Sequence, residues 1–128
     1  MIKIVDDFFD DPDSVVALSE GMEFSLRNPQ WPGVRTQDLQ EYAPKVKDMF
    51  IEHICDHYPK LNPFELNLDF RCGFQKVNSF SKDQYDLKNR GWAHQDTNCI
   101  WAGIMYLNKN PEPDTGTVFY KGTQSISI

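Results

Sequence analysis

The sequence lacks the features that mark nucleic-acid-binding proteins. Its 128 residues hold 13 Lys and Arg against 19 Asp and Glu, a net charge of −6, and the basic residues form no run. A surface that neutralises nucleic-acid phosphates needs clustered Lys and Arg. We therefore expect no nucleic-acid partner.

Long apolar segments and paired cysteines are also missing. No apolar run approaches the twenty or so residues that span a bilayer, and the N-terminus turns acidic at Asp6 without the basic segment of a secretory signal. Cys55, Cys72 and Cys99 lie far apart and form no C-x-x-C pair, which suits a reducing compartment. The sequence predicts a soluble, cytoplasmic protein without a membrane partner.

The length and composition predict a single domain over residues 1–128. Hydrophobic residues make up 40% and charged residues 25% of the chain, near the globular average. A chain of this size buries enough surface for an ordinary core without disulfides or metal. No repeat or long linker divides it.

The first half of the chain carries signals for one short strand and two helices. Residues 2–5 predict a strand. Asp11 followed by Pro12 predicts a helix start, and Gly21 its end. Apolar residues recurring at three and four positions predict an amphipathic helix over residues 39–58, ended by Pro59.

Three side chains in this half leave alternatives open. Trp31, in a proline-rich loop, either covers the edge of the core or forms a pocket wall with Arg35. His53 and His57 lie four residues apart on the apolar side of the predicted helix. They either pack near the helix end or supply two metal ligands.

The second half predicts strands. Residues 64–75 alternate apolar and polar side chains, with a change of phase towards Val77 that indicates a bulge or a new strand. Residues 99–107 are apolar on both alternating sets, which predicts a buried central strand. Residues 81–91 predict a polar loop, and residues 116–120 predict a further strand.

A short chemical motif lies just before the predicted central strand. His94 and Asp96 are separated by one residue, so an extended backbone places an imidazole and a carboxylate on one face, where both can bind one metal ion. Taken alone, this pair also fits an exposed loop without any ligand.

The surrounding sequence resembles the iron(II)- and 2-oxoglutarate-dependent oxygenases, and most closely their prolyl-hydroxylase-like branch. The resemblance rests on three segments: HQDTNCIWAGIMYLN at residues 94–108, TGTVF at residues 115–119 and IVDDFFDDP at residues 4–12. Together they cover about a quarter of the chain, in the order that the family shows.

The resemblance implies an α+β fold, a double-stranded β-helix (jelly roll) with N-terminal helices packed on one sheet. It implies Fe(II) and 2-oxoglutarate as cofactors, with His94 and Asp96 as two members of a facial triad of two histidines and one carboxylate. Tyr106 matches a tyrosine that contacts the far carboxylate of 2-oxoglutarate, although a core role is equally compatible. Gln75, Val77 and Trp92 either line the cavity or pack in the core.

The family pattern is incomplete in this sequence. The triad's second histidine follows the aspartate in this family, yet no histidine follows Asp96, and the basic residues after it are Lys109 and Lys121. We therefore expect a C-terminally truncated, incomplete barrel that is inactive as it stands and covers its open sheet in a homodimer. Alternatives are a non-catalytic β-sandwich binding module and a metal-binding protein that uses His53 and His57. The substrate, a small molecule or a peptide, stays open.

Overall fold

The computed structural model describes residues 2–28, 31–77, 96–111 and 116–117. These residues form helix α1 (Pro12–Glu20), strand β1 (Val34–Arg35), helices α2 (Leu39–Tyr42) and α3 (Pro44–His57), a 3-10 helix (Pro59–Leu61) and strand β2 (Gln75–Lys76). The two strands pair antiparallel, with Val34 opposite Lys76 and Arg35 opposite Gln75. His94, Trp92, the predicted loop at 81–91 and most of the predicted strand at 116–120 lie outside the described residues.

The prediction of α1 is confirmed. The carboxylate of Asp11 accepts the backbone N–H of Ser14 at 3.2 Å and so caps the helix, and Pro12 occupies the first turn, where no intrahelical hydrogen bond is lost. Gly21 follows the last helical residue. Val15 and Ser19 are the buried positions of α1, which turns this side towards the core.

The prediction of one helix over residues 39–58 is wrong at one point. Ala43 has φ −149° and ψ 67°, which ends α2, and Pro44 begins α3. A proline ring clashes with a helical conformation of the preceding residue but fits the first position of a new helix. The predicted end is confirmed, because α3 stops at His57 and Pro59 begins the 3-10 helix.

The core joins residues from distant parts of the chain. Leu39 is fully buried, and Phe50 of α3 lies between two other aromatic rings. Its ring centroid is 5.8 Å from that of Phe9 and 5.7 Å from that of Phe74. With Val15 of α1, these residues form one apolar cluster that holds the helices against the segment leading into β2.

Residues 64–75 do not form the long strand that the alternation predicts. Residues 63–67 are a turn, and β2 alone is assigned as a strand here. The alternation still describes burial, because residues 68, 70, 72 and 74 are buried or half-buried while 69, 71 and 73 are exposed. The segment is hydrogen-bonded irregularly: Phe74 donates its backbone N–H to the hydroxyl of Thr36 at 3.1 Å, so a side chain replaces a backbone partner.

Two further strand predictions are wrong within the described residues. Residues 2–5 have irregular backbone, and Ile4 is 86% exposed. Residues 99–107 are also irregular, with Ile100 and Ile104 exposed, whereas Met105 and Leu107 are half-buried against the core. A central strand needs a neighbour on both edges and a layer on both faces. In the described part of the chain this segment packs on the core through two side chains.

Among the described residues, no helix is both long and apolar enough to cross a membrane. The sheet in this part of the chain has two strands.

Candidate functional site

Two of the residues singled out by the oxygenase resemblance, Asp96 and Tyr106, lie in the described segment 96–111. Asp96 is exposed at the start of this segment, and Tyr106 is 60% exposed near its end. His94 and Trp92 lie outside the described residues. Of the two proposed metal ligands, Asp96 is the one that lies in the described part of the chain.

Tyr106 is held by a residue from the next predicted strand. Its hydroxyl donates a hydrogen bond to Oγ1 of Thr117 at 2.5 Å. The neighbouring Gly116 has φ +122°, a conformation that residues with a side chain rarely adopt, and a Cβ built on it would lie 3.6 Å from the Tyr106 hydroxyl oxygen. Tyr106 thus lies next to Gly116 and Thr117, the described residues of the TGTVF segment.

Gln75 and Val77, predicted as pocket-wall residues, are both exposed. Gln75 contacts the loop before β1, because its side-chain amide donates to the carbonyl of Pro32 at 2.6 Å and its Oε1 accepts from Nε of Arg35 at 3.1 Å. Neither Gln75 nor Val77 lines the cleft described next. Their role as walls of a cosubstrate cavity stays a prediction.

A cleft of about 210 Å³ lies between α3, residues 61–70 and residues 98–101. Ile51 and Ile54 of α3 line one side of the cleft. The other lining residues are mostly apolar and come from two segments: Leu61, Pro63, Leu68, Asp69 and Phe70 from the first, and Asn98, Cys99, Ile100 and Trp101 from the second. Sequence reasoning did not find this cleft, because its walls come from three segments that no local pattern brings together.

The wall formed by residues 98–101 has an unusual backbone. Asn98 adopts φ +61°, in the left-handed region that Asn tolerates better than most residues. The thiol of Cys99 donates a hydrogen bond to the carbonyl oxygen of Trp101, with sulfur and oxygen 2.8 Å apart. The Trp101 ring covers Gly103, where a Cβ would lie 2.5 Å from Cη2 of the indole. The one sequence signal for this turn was Asn98 itself, a residue type that favours left-handed turns.

His53 and His57 pack on aromatic rings. The ring of His57 stacks on Phe8 with centroids 4.8 Å apart, and the ring of His53 lies 5.0 Å from that of Phe9. Within the described residues, no group of three or more His, Cys, Asp and Glu side chains is arranged to hold a metal ion. The ring contacts agree with the packed alternative, although His57 itself is exposed.

Comparison with known proteins places the chain in one family. Residues 1–127 match a family model described as "Family of unknown function (DUF6445)". The chain belongs to this family. The DUF6445 match includes α1 to α3, the cleft and the segment from Asp96 to Thr117. No curated protein and no solved structure matches the chain.

Proposed function

We propose that the chain is an oxygenase-like protein of the Fe(II)- and 2-oxoglutarate-dependent type, with His94 and Asp96 as metal ligands. We further propose that its complete fold is of the double-stranded β-helix type. The observation that carries the proposal is the hydrogen bond between Tyr106 and Thr117. It supports a pairing of the Y-L-N and G-T-x-F segments in the order that the resemblance implies.

Tyr106 has the chemistry to contact a carboxylate of 2-oxoglutarate. A tyrosine hydroxyl has one proton, so it donates either to Thr117 or to a ligand. Thr117 keeps its own hydroxyl proton while it accepts from Tyr106. While the internal bond is intact, the donor that the pair offers to a carboxylate is the Thr117 hydroxyl. Tyr106 donates to a ligand when it gives up this bond, and it is exposed enough to reach one.

The donor types in the metal pair suit iron(II). An imidazole nitrogen and a carboxylate oxygen are two of the three ligands of a 2-His-1-carboxylate site, and the described residue of the pair, Asp96, is exposed. When bound, iron and 2-oxoglutarate supply the oxidising chemistry, and the protein holds and orients them. The other two histidines of the sequence are His57, which stacks on Phe8, and His53, which contacts Phe9. A pair without a third protein ligand predicts weak metal binding and little or no turnover.

Titration with Mn(II), a redox-inert substitute for Fe(II), tests the metal pair. We expect saturable binding weaker than micromolar that is lost in His94→Ala and Asp96→Ala and kept in His53→Ala. Absence of any saturable binding would contradict the metal pair and favour the non-catalytic β-sandwich module. Submicromolar affinity that His94→Ala abolishes would contradict the expectation of an incomplete site. Binding that survives His94→Ala but not His53→Ala would instead identify the His53 and His57 alternative.

A second titration tests the cosubstrate role of Tyr106. In the Mn(II)-loaded protein we expect 2-oxoglutarate to bind, and Tyr106→Phe to weaken this binding. Phenylalanine keeps the ring and removes the hydroxyl. Tyr42→Phe is the control, because Tyr42 also has an exposed hydroxyl, which accepts the backbone N–H of Glu23 at 3.0 Å, far along the chain from the proposed site. Equal weakening by both variants would contradict a specific role for Tyr106.

The exposed apolar side chains support a homodimer as the proposed assembly. Ile4, Ile100 and Ile104 are each more than 60% exposed, and we propose that they belong to one face that a second copy covers. Size-exclusion chromatography with light scattering is expected to give twice the chain mass of 14.9 kDa. A monomer at high protein concentration would contradict the dimer.

A further inference from the structure

Arg35 is fixed in place on both its backbone and its side chain. Its backbone N–H donates to the carbonyl of Leu26 at 2.9 Å, and its carbonyl accepts the N–H of Leu26 at 3.0 Å. On the other side it pairs with Gln75 of β2. The arginine therefore lies at the middle position of a three-segment antiparallel arrangement, where its Cα has little freedom.

The guanidinium group is fixed by two further contacts. Its Nε donates to Oε1 of Gln75 at 3.1 Å, and Gln75 is itself held by its bond to the carbonyl of Pro32. The guanidinium carbon lies 4.2 Å from the centroid of the Trp31 ring. Arginine commonly stacks on an indole face in this way and keeps its edge available for hydrogen bonds. These contacts hold the Arg35 side chain in one position before any ligand binds.

The charge of Arg35 is half-buried without a carboxylate partner in the described part of the chain. The ion pairs found there join Arg71 to Asp69 and Lys109 to Asp13. Burial lowers the pKa of the Arg35 guanidinium from its ordinary value. A cation that is removed from water is normally paired with an anion. At Arg35 the ring of Trp31 and the neutral amide of Gln75 contact the guanidinium instead.

The adjacent Trp31 has an unpaired donor of its own. Its indole Nε1 is buried and has no hydrogen-bond partner among the residues that the structure describes. Leaving a buried N–H unpaired is unfavourable, and such groups are rare in folded proteins. The indole has one donor and the guanidinium has five, neither group has an acceptor, and no carboxylate of the described residues pairs with them.

We propose that Arg35, presented by Trp31 and Gln75, is the recognition group of a binding site for a small carboxylate. The guanidinium edge formed by its two Nη groups matches the two oxygens of a carboxylate in a bidentate arrangement. A carboxylate fits better than a phosphate because one guanidinium balances its single charge, whereas a protein of net charge −6 repels a dianion more strongly. None of its residues is a ligand of the proposed metal pair, so carboxylate binding at Arg35 is tested in the absence of metal and separately from Mn(II) binding.

The test observes Arg35 directly by NMR. The side-chain Nε–H resonance of Arg35 is followed while acetate or benzoate is added to the folded chain, with sodium chloride at equal ionic strength as the reference. We expect a saturable shift with both carboxylates and none with chloride. No saturable shift with either carboxylate would overturn the proposal. Tighter binding of inorganic phosphate than of acetate would overturn the assignment to carboxylates.

Three variants separate recognition from simple charge. Because the Arg35 variants lack the Arg35 Nε–H, binding to all three variants and the wild type is compared through the indole N–H resonance of Trp31, whose ring contacts Arg35. Arg35→Gln should abolish binding, and Arg35→Lys, which keeps the charge but loses the planar fork, should weaken it at least tenfold. Arg71→Gln is the matched control, because Arg71 is an exposed arginine already paired with Asp69. It should bind as the wild type does. An equal loss in Arg71→Gln and Arg35→Gln would overturn the proposal in favour of a general charge effect. Retained backbone resonances of the core residues Leu39 and Phe50 confirm that the Arg35 variants are folded.

Discussion

The backbone of Gly33 lies directly against the backbone of Lys76. A Cβ built on Gly33 would overlap the carbonyl oxygen of Lys76 and approach Cα of Val77 to 2.9 Å. Gly33 also has φ +73°, in the left-handed region that favours glycine. This close approach lets the loop that carries Trp31 fold onto β2, so the contacts around Arg35 depend on it.

Replacement of Gly33 by alanine is expected to destabilise the fold by about 2 kcal/mol or more, because strain at φ > 0 adds to a steric overlap with backbone that cannot move aside. Urea unfolding measures the change. Gly21→Ala is the control, since Gly21 has a helical φ of −79° and its nearest neighbour would lie 3.7 Å from the new Cβ. Similar losses in the two variants would contradict the arrangement described at Gly33.

Leu39 is expected to be among the most sensitive core positions. Its side chain is fully buried, so Leu39→Ala should lower the free energy of unfolding by about 3 kcal/mol, through lost apolar burial and an unfilled cavity. Leu66→Ala removes the same atoms from a side chain that is 50% exposed and should cost less than about 1 kcal/mol. If residue 66 instead faced the core of a long strand, the two losses would be comparable.

The thiol of Cys72 predicts a loss of stability at high pH. Burial raises its pKa from 9.0 to about 11. A pKa that is higher in the folded state contributes stability that is fully present below the unfolded value of about 9 and is lost as the pH rises towards 11. We expect the wild type to lose about 1 kcal/mol relative to Cys72→Val over this range, after allowance for the half-exposed position.

The comparison with Cys72→Val isolates this effect, because lysines and tyrosines titrate over the same range in both proteins. Chemical unfolding at a series of pH values from 7 to 11 provides the measurement. A constant difference between the two proteins across the series would show that the thiol has the same pKa in the folded and unfolded states.

The hydrogen bond between Tyr106 and Thr117 is expected to contribute a small but measurable coupling. A double-mutant cycle with Tyr106→Phe and Thr117→Val should give an interaction free energy of about 0.5 kcal/mol, because the pair is exposed and water competes for both hydroxyls. Additive effects would mean that the two segments do not lie together in solution. That result would also remove the main support for the oxygenase proposal.

Local chemistry was enough to predict the helices and their ends. Asp11, Pro12 and Gly21 specify the bounds of α1, and Pro59 specifies the end of α3. The break at Ala43 follows from the same kind of rule, applied to Pro44, but the apolar periodicity running through it predicted a continuous helix. Capping and proline geometry act within a few residues, so the sequence contains all the information they need.

Strand predictions failed where a partner was required. The alternation over residues 64–75 correctly identified which side chains from 68 to 74 face inwards, but the hydroxyl of Thr36 interrupts the backbone ladder. For residues 99–107 the apolar composition indicated burial but did not identify the segments that would pair with this stretch or pack on it. A strand exists only through hydrogen bonds to a distant segment, and composition alone does not identify that segment.

The sequence by itself determined the bounds of α1, the end of α3, the acidic charge and the pairing of His94 with Asp96 as a candidate motif, because each depends on neighbouring residues. The tertiary structure decided which distant residues meet. It placed Tyr106 beside Thr117, closed a cleft between Ile54 and Trp101, and fixed Arg35 between Trp31 and Gln75. These contacts join residues far apart in the chain, and they depend on how the core around Leu39 and Phe50 packs.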